Sequence, residues 1–254
     1  MNKFRAGFVA FLLMLVTATL AVGTAGAATA PSLGDADSFA VLGAETVTNT
    51  GPTSVEGDLG VSPGTAITGF PPGQQVPPSL LPHAGDETAA DAQIGVTTAY
   101  NALSDEPCTQ NLTGQDLGGL TLVPGVYCFD SDAFLTGTLT LNAVDGGGSV
   151  FIFKTVSTLI TANDSVVEFL NGGTCNGVFW RVGSSATLGT YSLFEGNILA
   201  QASITANTGA TVNGRLLART AAVTLDSNTI SGPSCGVDAG DSDDDTTTGG
   251  DTTT

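Results

Sequence analysis

Histidine and tryptophan each occur once in the 254 residues, and only six side chains are basic against 24 acidic ones. With His83 alone, neither a serine–histidine hydrolase site nor a histidine-rich metal cluster can be assembled. The shortage of lysine and arginine excludes nucleic acid and anionic lipid as partners, because both are held by basic patches. No Cys-x-x-Cys spacing occurs either. No catalytic residue, metal or cofactor is therefore expected, and the chain reads as a non-enzyme.

Long apolar runs are equally scarce. The one candidate, about Phe8 to Val22, follows Lys3 and Arg5 and precedes Ala25 and Ala27 in an A-x-A arrangement. It is short for a membrane span and has the layout of a cleavable export signal. Residues 1–27 are accordingly expected to be removed, with Ala30 as the alternative cleavage point. The product would then be secreted, without a membrane partner. Lys154, Arg181, Arg215 and Arg219 are the basic residues left after cleavage; four against 24 acids gives a formal charge of −20. Residues 236–254 form an acidic tail rich in Thr, Gly and Asp, expected to be disordered because it has almost nothing apolar to bury. Its Asp243–Asp245 run lacks the glycine turn and terminal glutamate of a calcium loop. Residues 32–235 remain for one domain.

The four cysteines, Cys108, Cys128, Cys175 and Cys235, all fall in the exported part. An even count in an oxidising compartment implies two disulfides. Three connectivities are possible, of which Cys108–Cys128 with Cys175–Cys235 closes short loops in sequence order.

What is abundant is glycine, threonine and periodicity. Trp180, Ile198 and Leu216 recur every 18 residues, as do Val182, Ala200 and Ala218, while Thr187, Thr205 and Thr224 follow the same beat with one slip. A period near that length, rich in β-branched residues with glycine at the corners, suits a solenoid of short strands in which each coil buries its inner face only by stacking. An earlier copy, "FIFKTVSTLITANDSVVEFL", is set apart by the longer loop "NGGTCNG". One segment departs from the pattern: Ala92, Val96, Ala99, Tyr100 and Leu103 share one helical face, which predicts a helix over Glu87 to Leu103 ending before Pro107. The preceding "GFPPGQQVPPSLLPHAG" reads as a proline-rich loop or cap.

Several motifs in a fixed order carry a resemblance. "FAVLGAETVTNTGPTSVEGDLGVSPGTAITGFPPG", "LTLVPGVYCFD", "VFWRVGSSATLGT" and "GNILAQASITANTGATVNGRLLARTAAVTLDSNTI" resemble the microbial ice-binding proteins, over about Leu33 to Cys235. The resemblance implies a mainly β fold: a discontinuous, right-handed three-sided β-solenoid with one long helix alongside and a proline-rich cap loop. N-terminal strands should insert beside the C-terminal coils. It also implies that ice, as the partner, meets a flat face carrying T-A/G-x-T/N motifs.

Thr205-Ala206-Asn207-Thr208 and Thr65-Ala66-Ile67-Thr68 match that pattern. Thr187-Leu188-Gly189-Thr190, Thr161-Ala162-Asn163-Asp164 and Thr224-Leu225-Asp226-Ser227 keep parts of it. The candidate ice-binding residues are thus Thr65, Thr68, Thr161, Thr187, Thr190, Thr205, Thr208 and Thr224, presented by a scaffold expected to be monomeric, in which Asp164 and Asp226 break the motif. Threonine suits such a face because stacked strands repeat at about 4.8 Å and alternate residues at about 6.7 Å, giving a grid of methyls and hydroxyls. Its restricted χ1 holds both groups in place. Two other functions compete. Acids such as Asp164, Glu168, Glu195 and Asp226 could serve a polysaccharide-cleaving β-helix, but they form no motif. An adhesive, matrix- or glycan-binding solenoid would use aromatic pockets, yet Phe151, Phe153, Phe179 and Trp180 lie in strand patterns that mark them as core.

Overall fold

The computed structural model describes residues 28–77, 80–144 and 148–235. The expected export signal and the expected acidic tail lie outside the described residues. Three parallel sheets of nine, eight and seven strands close a triangular solenoid, and the helix Glu87–Asp105 runs along the nine-stranded one. The 18-residue beat becomes vertical registration: Trp180, Ile198 and Leu216 pair in sequence across adjacent strands, as do Val182, Ala200 and Ala218.

Coil order differs from chain order, as the resemblance implies. Phe39–Gly43 pairs with Leu216–Ala218, Thr46–Thr50 with Val223–Asp226, and Ser54–Glu56 with Thr229–Ile230. The first coils thereby cover what would otherwise be the open end of the last ones, removing three unpaired edges at once. The segment expected as a proline-rich loop or cap instead contributes two short strands, Gln74–Val76 and His83–Ala84, to the end of this insertion. Both draw their backbone partners from the strand beneath, which a reading of proline content alone misses.

The triangular interior is lined by alternate residues of every strand. Tyr127, Phe153, Trp180 and Phe194 form a continuous run of rings in the half away from the inserted strands, Phe153 and Trp180 lying 4.0 Å apart between centroids and nearly parallel. Toward the inserted end the filling changes to Val, Leu, Ile and Ala. Two disulfides, Cys108–Cys128 and Cys175–Cys235, join loops to the scaffold, and no free cysteine occurs among the described residues.

The helix begins where the Asp86 side chain accepts a hydrogen bond from the Ala89 amide at 2.9 Å, an N-cap. It ends one residue before Glu106, whose extended backbone suits the position before Pro107. Ala89, Ala92, Val96, Ala99, Tyr100 and Leu103 seat it on the outer side of the nine-stranded sheet, against Phe39, Leu42, Ile152, Phe179, Leu199 and Leu217. Three basic side chains hold it there. Arg181 and Arg219 sandwich the Tyr100 ring at 4.4 and 4.2 Å, a double cation–π contact. Lys154 donates to the Ser104 and Glu106 carbonyls at the helix C-terminus, where a cation complements the helix dipole. Burial, and then the charge of Arg181, pull the Lys154 pKa below its ordinary value.

Candidate functional site

The helix covers one sheet, which leaves two faces open. The seven-stranded sheet runs, in spatial order, Ala133–Leu135, Leu159–Thr161, Ala186–Leu188, Ile204–Ala206, Val223–Asp226, Thr46–Thr50 and Ala66–Thr68. Its inward positions, among them Leu159, Ala186, Ile204, Val223 and Val47, belong to the core. Because side chains alternate, the residues between them point outward, and the strand registers align these into one row: Phe134, Ile160, Thr187, Thr205, Thr224, Thr48 and Thr68.

Five successive members of that row are threonines. Thr68 and Thr224 are exposed, while Thr48, Thr187 and Thr205 are half-buried. Partial burial is what a close-packed row of small side chains produces, each shielding the next. Hydroxyl contacts tie neighbouring coils together: Thr48 Oγ1 donates to Thr224 Oγ1 at 3.4 Å, and in a flanking position Ser203 Oγ donates to Ser185 Oγ at 2.9 Å.

The other candidates fall elsewhere. Thr190 and Thr208 sit in the turns that lead from this sheet to the eight-stranded one, so the second threonine of each motif decorates the rim. Thr65 is exposed in the turn entering Ala66–Thr68, with its methyl so near Gly85 that an added Cβ there would meet it at 2.6 Å. Thr161 does not join the row at all. It is buried, and its Oγ1 accepts from the Gly189 amide at 2.9 Å. The registered partner of Thr187 is Ile160, so the motif in this coil is displaced by one residue, and one residue of slip turns a side chain from one face to the other. The motif search also missed Thr48. The alternation in Thr46-Val47-Thr48-Asn49-Thr50 was the available signal, with Val47 buried between outward threonines.

Of the two acids that break the motif, Asp226 is engaged by neighbouring hydroxyls. Asp226 accepts from Thr208 Oγ1 and, at 3.1 Å, from Ser227 Oγ. At the opposite margin Asp132 accepts from Thr158 Oγ1 at 2.6 Å, and hydroxyl bonds from Ser157 and Thr158 hold its carboxyl below the ordinary value of 3.8. Asp164 lies in a turn with a left-handed backbone. No basic side chain stands in the row.

The eight-stranded sheet is chemically different. Glu56, Glu168 and Glu195 belong to its outward positions, with Thr140 donating to Glu168 at 3.0 Å and Asn213 to Glu195 at 2.7 Å. Carboxylates there organise their own hydration shells, whereas the threonine row offers uncharged, evenly spaced groups. Among the described residues, no three His, Cys, Asp or Glu side chains are grouped to hold a metal.

The combination of a rigid parallel solenoid and one bare, flat, threonine-lined sheet defines a protein that presents a surface. Comparison with known proteins places it further. Residues 41–231 match the family model described as Ice-binding-like, and the chain belongs to that family. An ice-binding protein of Nostoc sp. (strain HG1) is 48% identical over 223 residues, 87% of this chain and 81% of the relative. One from Colwellia sp. is 35% identical over 218 residues, 80% and 84% of the two chains. Among solved structures, the ice-binding protein of the Antarctic ascomycete Antarctomyces psychrotrophicus superposes with a TM-score of 0.76 at 46% identity, covering 80% of this chain and 98% of that one.

Proposed function

We propose that this protein adsorbs to ice through the seven-stranded sheet, with Thr187, Thr205, Thr224, Thr48 and Thr68 as the contact row and Thr190 and Thr208 at its rim. The single observation that carries this reading is the unbroken register of five outward threonines on five hydrogen-bonded strands. Strands about 4.8 Å apart place successive methyls and hydroxyls on a fixed lattice. Water against a methyl finds no partner there and must bond to its neighbours and to the adjacent hydroxyl. The row therefore favours an ordered, laterally bonded water layer that can merge with a crystal.

Backbone rigidity matters as much as chemistry. Each inner coil is hydrogen-bonded above and below, and the cationic clamp on Tyr100 together with two disulfides fixes the frame. A face that needs no ordering on contact loses little entropy when it binds. Adsorption of this kind is a non-enzymatic role and needs no acid, base or nucleophile.

Secretion belongs to the same reading. It is supported by the leader-like residues 1–27 and by two disulfides, which persist in oxidising compartments. Among the described residues no helix is long and apolar enough to cross a membrane.

The test is to grow a single ice crystal in the purified protein and lower the temperature slowly. Adsorption to defined planes yields a faceted crystal. A crystal that grows as an unshaped disc would overturn the reading and favour an adhesive solenoid.

A further inference from the structure

The outward row of the seven-stranded sheet has two members that are not threonine, and they stand together at one end. Phe134 and Ile160 occupy the register positions of the first two strands, at 44% and 38% exposure, and neither belongs to a core cluster. The row therefore runs from a large aromatic side chain through a branched aliphatic one to five small residues of equal size.

We infer that Phe134 sets where the flat contact face ends, acting as a step that keeps a planar lattice from seating on the first two strands. This rests on the proposed adsorption to ice. The physical argument concerns rigidity on both sides. A crystal surface cannot bend around a protruding ring, and the parallel ladder beneath Phe134 cannot sink. Contact across such a face is a sum of small dispersion terms, and a gap of about 0.5–1 Å already forfeits a quarter to a half of each. A phenyl ring extends beyond a threonine methyl by more than that gap. Ile160, next in the row, has methyls able to join the threonine plane but stands in the shadow of the ring.

The local structure gives Phe134 no competing role in the fold. Its neighbours Ala133 and Leu135 point inward and carry the packing. Its carbonyl accepts from the Leu117 amide at 2.9 Å, and the Thr136 amide donates to Asp116 Oδ1 at 2.9 Å, so Asp116 and Leu117 close the strand edge through its main chain. These bonds do not depend on the side chain at 134. Substitution there alters the height of the face and leaves the ladder intact.

The test is ice recrystallisation inhibition by the purified protein and by Phe134→Thr, Phe134→Val and Thr205→Tyr, with melting temperatures measured alongside. Both Phe134 variants should fold, melt near the parent, and halt recrystallisation at about half the parent concentration, as matched contacts are added at one end of the sum. Thr205→Tyr, which puts a ring in the middle of the row, should lose activity severalfold. A loss of activity in the Phe134 variants would overturn the inference and make the ring a contact group, the pattern expected of an aromatic anchor in a docking site. Unchanged activity in both, with Thr205→Tyr impaired, would overturn it while leaving the ice face standing. Unimpaired Thr205→Tyr would instead remove the ice face and the inference with it.

Discussion

Thr48 donates its hydroxyl to Thr224 across 3.4 Å, although 176 residues separate the two in the chain. The contact exists because the strand Thr46–Thr50 is inserted between Val223–Asp226 and Ala66–Thr68. The threonine row is therefore assembled from both ends of the sequence, and its continuity depends on a junction that neither end forms alone. Thr48→Tyr should consequently impair ice recrystallisation inhibition as severely as Thr205→Tyr. Retained activity in Thr48→Tyr would confine the working face to the C-terminal coils.

Arg215 marks the opposite case, a charged residue whose work is internal. Its side chain is 3% exposed and donates to Asn197 Oδ1 at 2.8 Å, Asn176 Oδ1 at 2.8 Å, and the Asp37 carbonyl and carboxylate at 2.9 Å. Burial pulls its pKa down and Asp37 opposes that shift, so the ion is retained by its partners. Its place outside the threonine motifs gives no sign of this burial. Arg215→Ala should cost roughly 3 kcal/mol, the order found when a buried charged partner is removed. Melting followed by circular dichroism should drop by several degrees, at about 2–4 °C per kcal/mol for a domain this size. A melting temperature within 1–2 °C of the parent, about what a neutral surface change produces, would contradict this account.

The disulfides give a third expectation. Alkylation of the unreduced protein followed by mass spectrometry should find no modified cysteine, because Cys108–Cys128 and Cys175–Cys235 use all four. Reduction should lower the melting temperature. In the loop-entropy model a bridge spanning 20 residues stabilises by roughly 3 kcal/mol, and the one spanning 60 by somewhat more. Losing Cys175–Cys235 should therefore be the more damaging of the two single-pair replacements.

Acid should weaken the fold through two surface carboxylates. The Ala89 amide and then His83 hold Asp86 below the ordinary value of 3.8, and hydroxyls of Ser157 and Thr158 do the same for Asp132. A carboxyl with a lower pKa in the folded state leaves the unfolded chain binding more protons, so stability rises with pH through this window. The contribution is complete above the unfolded value and disappears as pH falls through the folded one. Urea midpoints measured between about pH 6 and pH 2 should decline mainly below 4, and Asp86→Asn should flatten part of that decline. An unchanged profile in Asp86→Asn would show that the cap contributes nothing to acid sensitivity.

Much of this fold is legible in the sequence because a solenoid is nearly one-dimensional. The spacing of Trp180, Ile198 and Leu216 translates directly into strand-to-strand register. The stripe Ala92, Val96, Ala99, Tyr100 and Leu103 places the helix just as directly, to within its last turn. Non-local placement is what the sequence does not carry. Nothing near Thr48 says that its neighbour will be Thr224. Motif matching also fails where coil length changes: across the longer loop "NGGTCNG", Thr161 aligns by letters with Thr187, but the ladder pairs Ile160 with it instead. Arg215 is hidden for a related reason, since its partners Asp37, Asn176 and Asn197 come from separate coils.

The central claim is that one face, and not threonine content in general, meets ice. The eight-stranded sheet supplies the control, because Thr211 points outward there between Leu193 and Thr229 in its own ladder. Ice recrystallisation inhibition should be measured for the parent, Thr205→Tyr and Thr211→Tyr at equal concentration, with melting temperatures confirming intact folds. The account predicts a severalfold loss for Thr205→Tyr and parent-like activity for Thr211→Tyr. Equal losses in the two variants, or a loss confined to Thr211→Tyr, would contradict it.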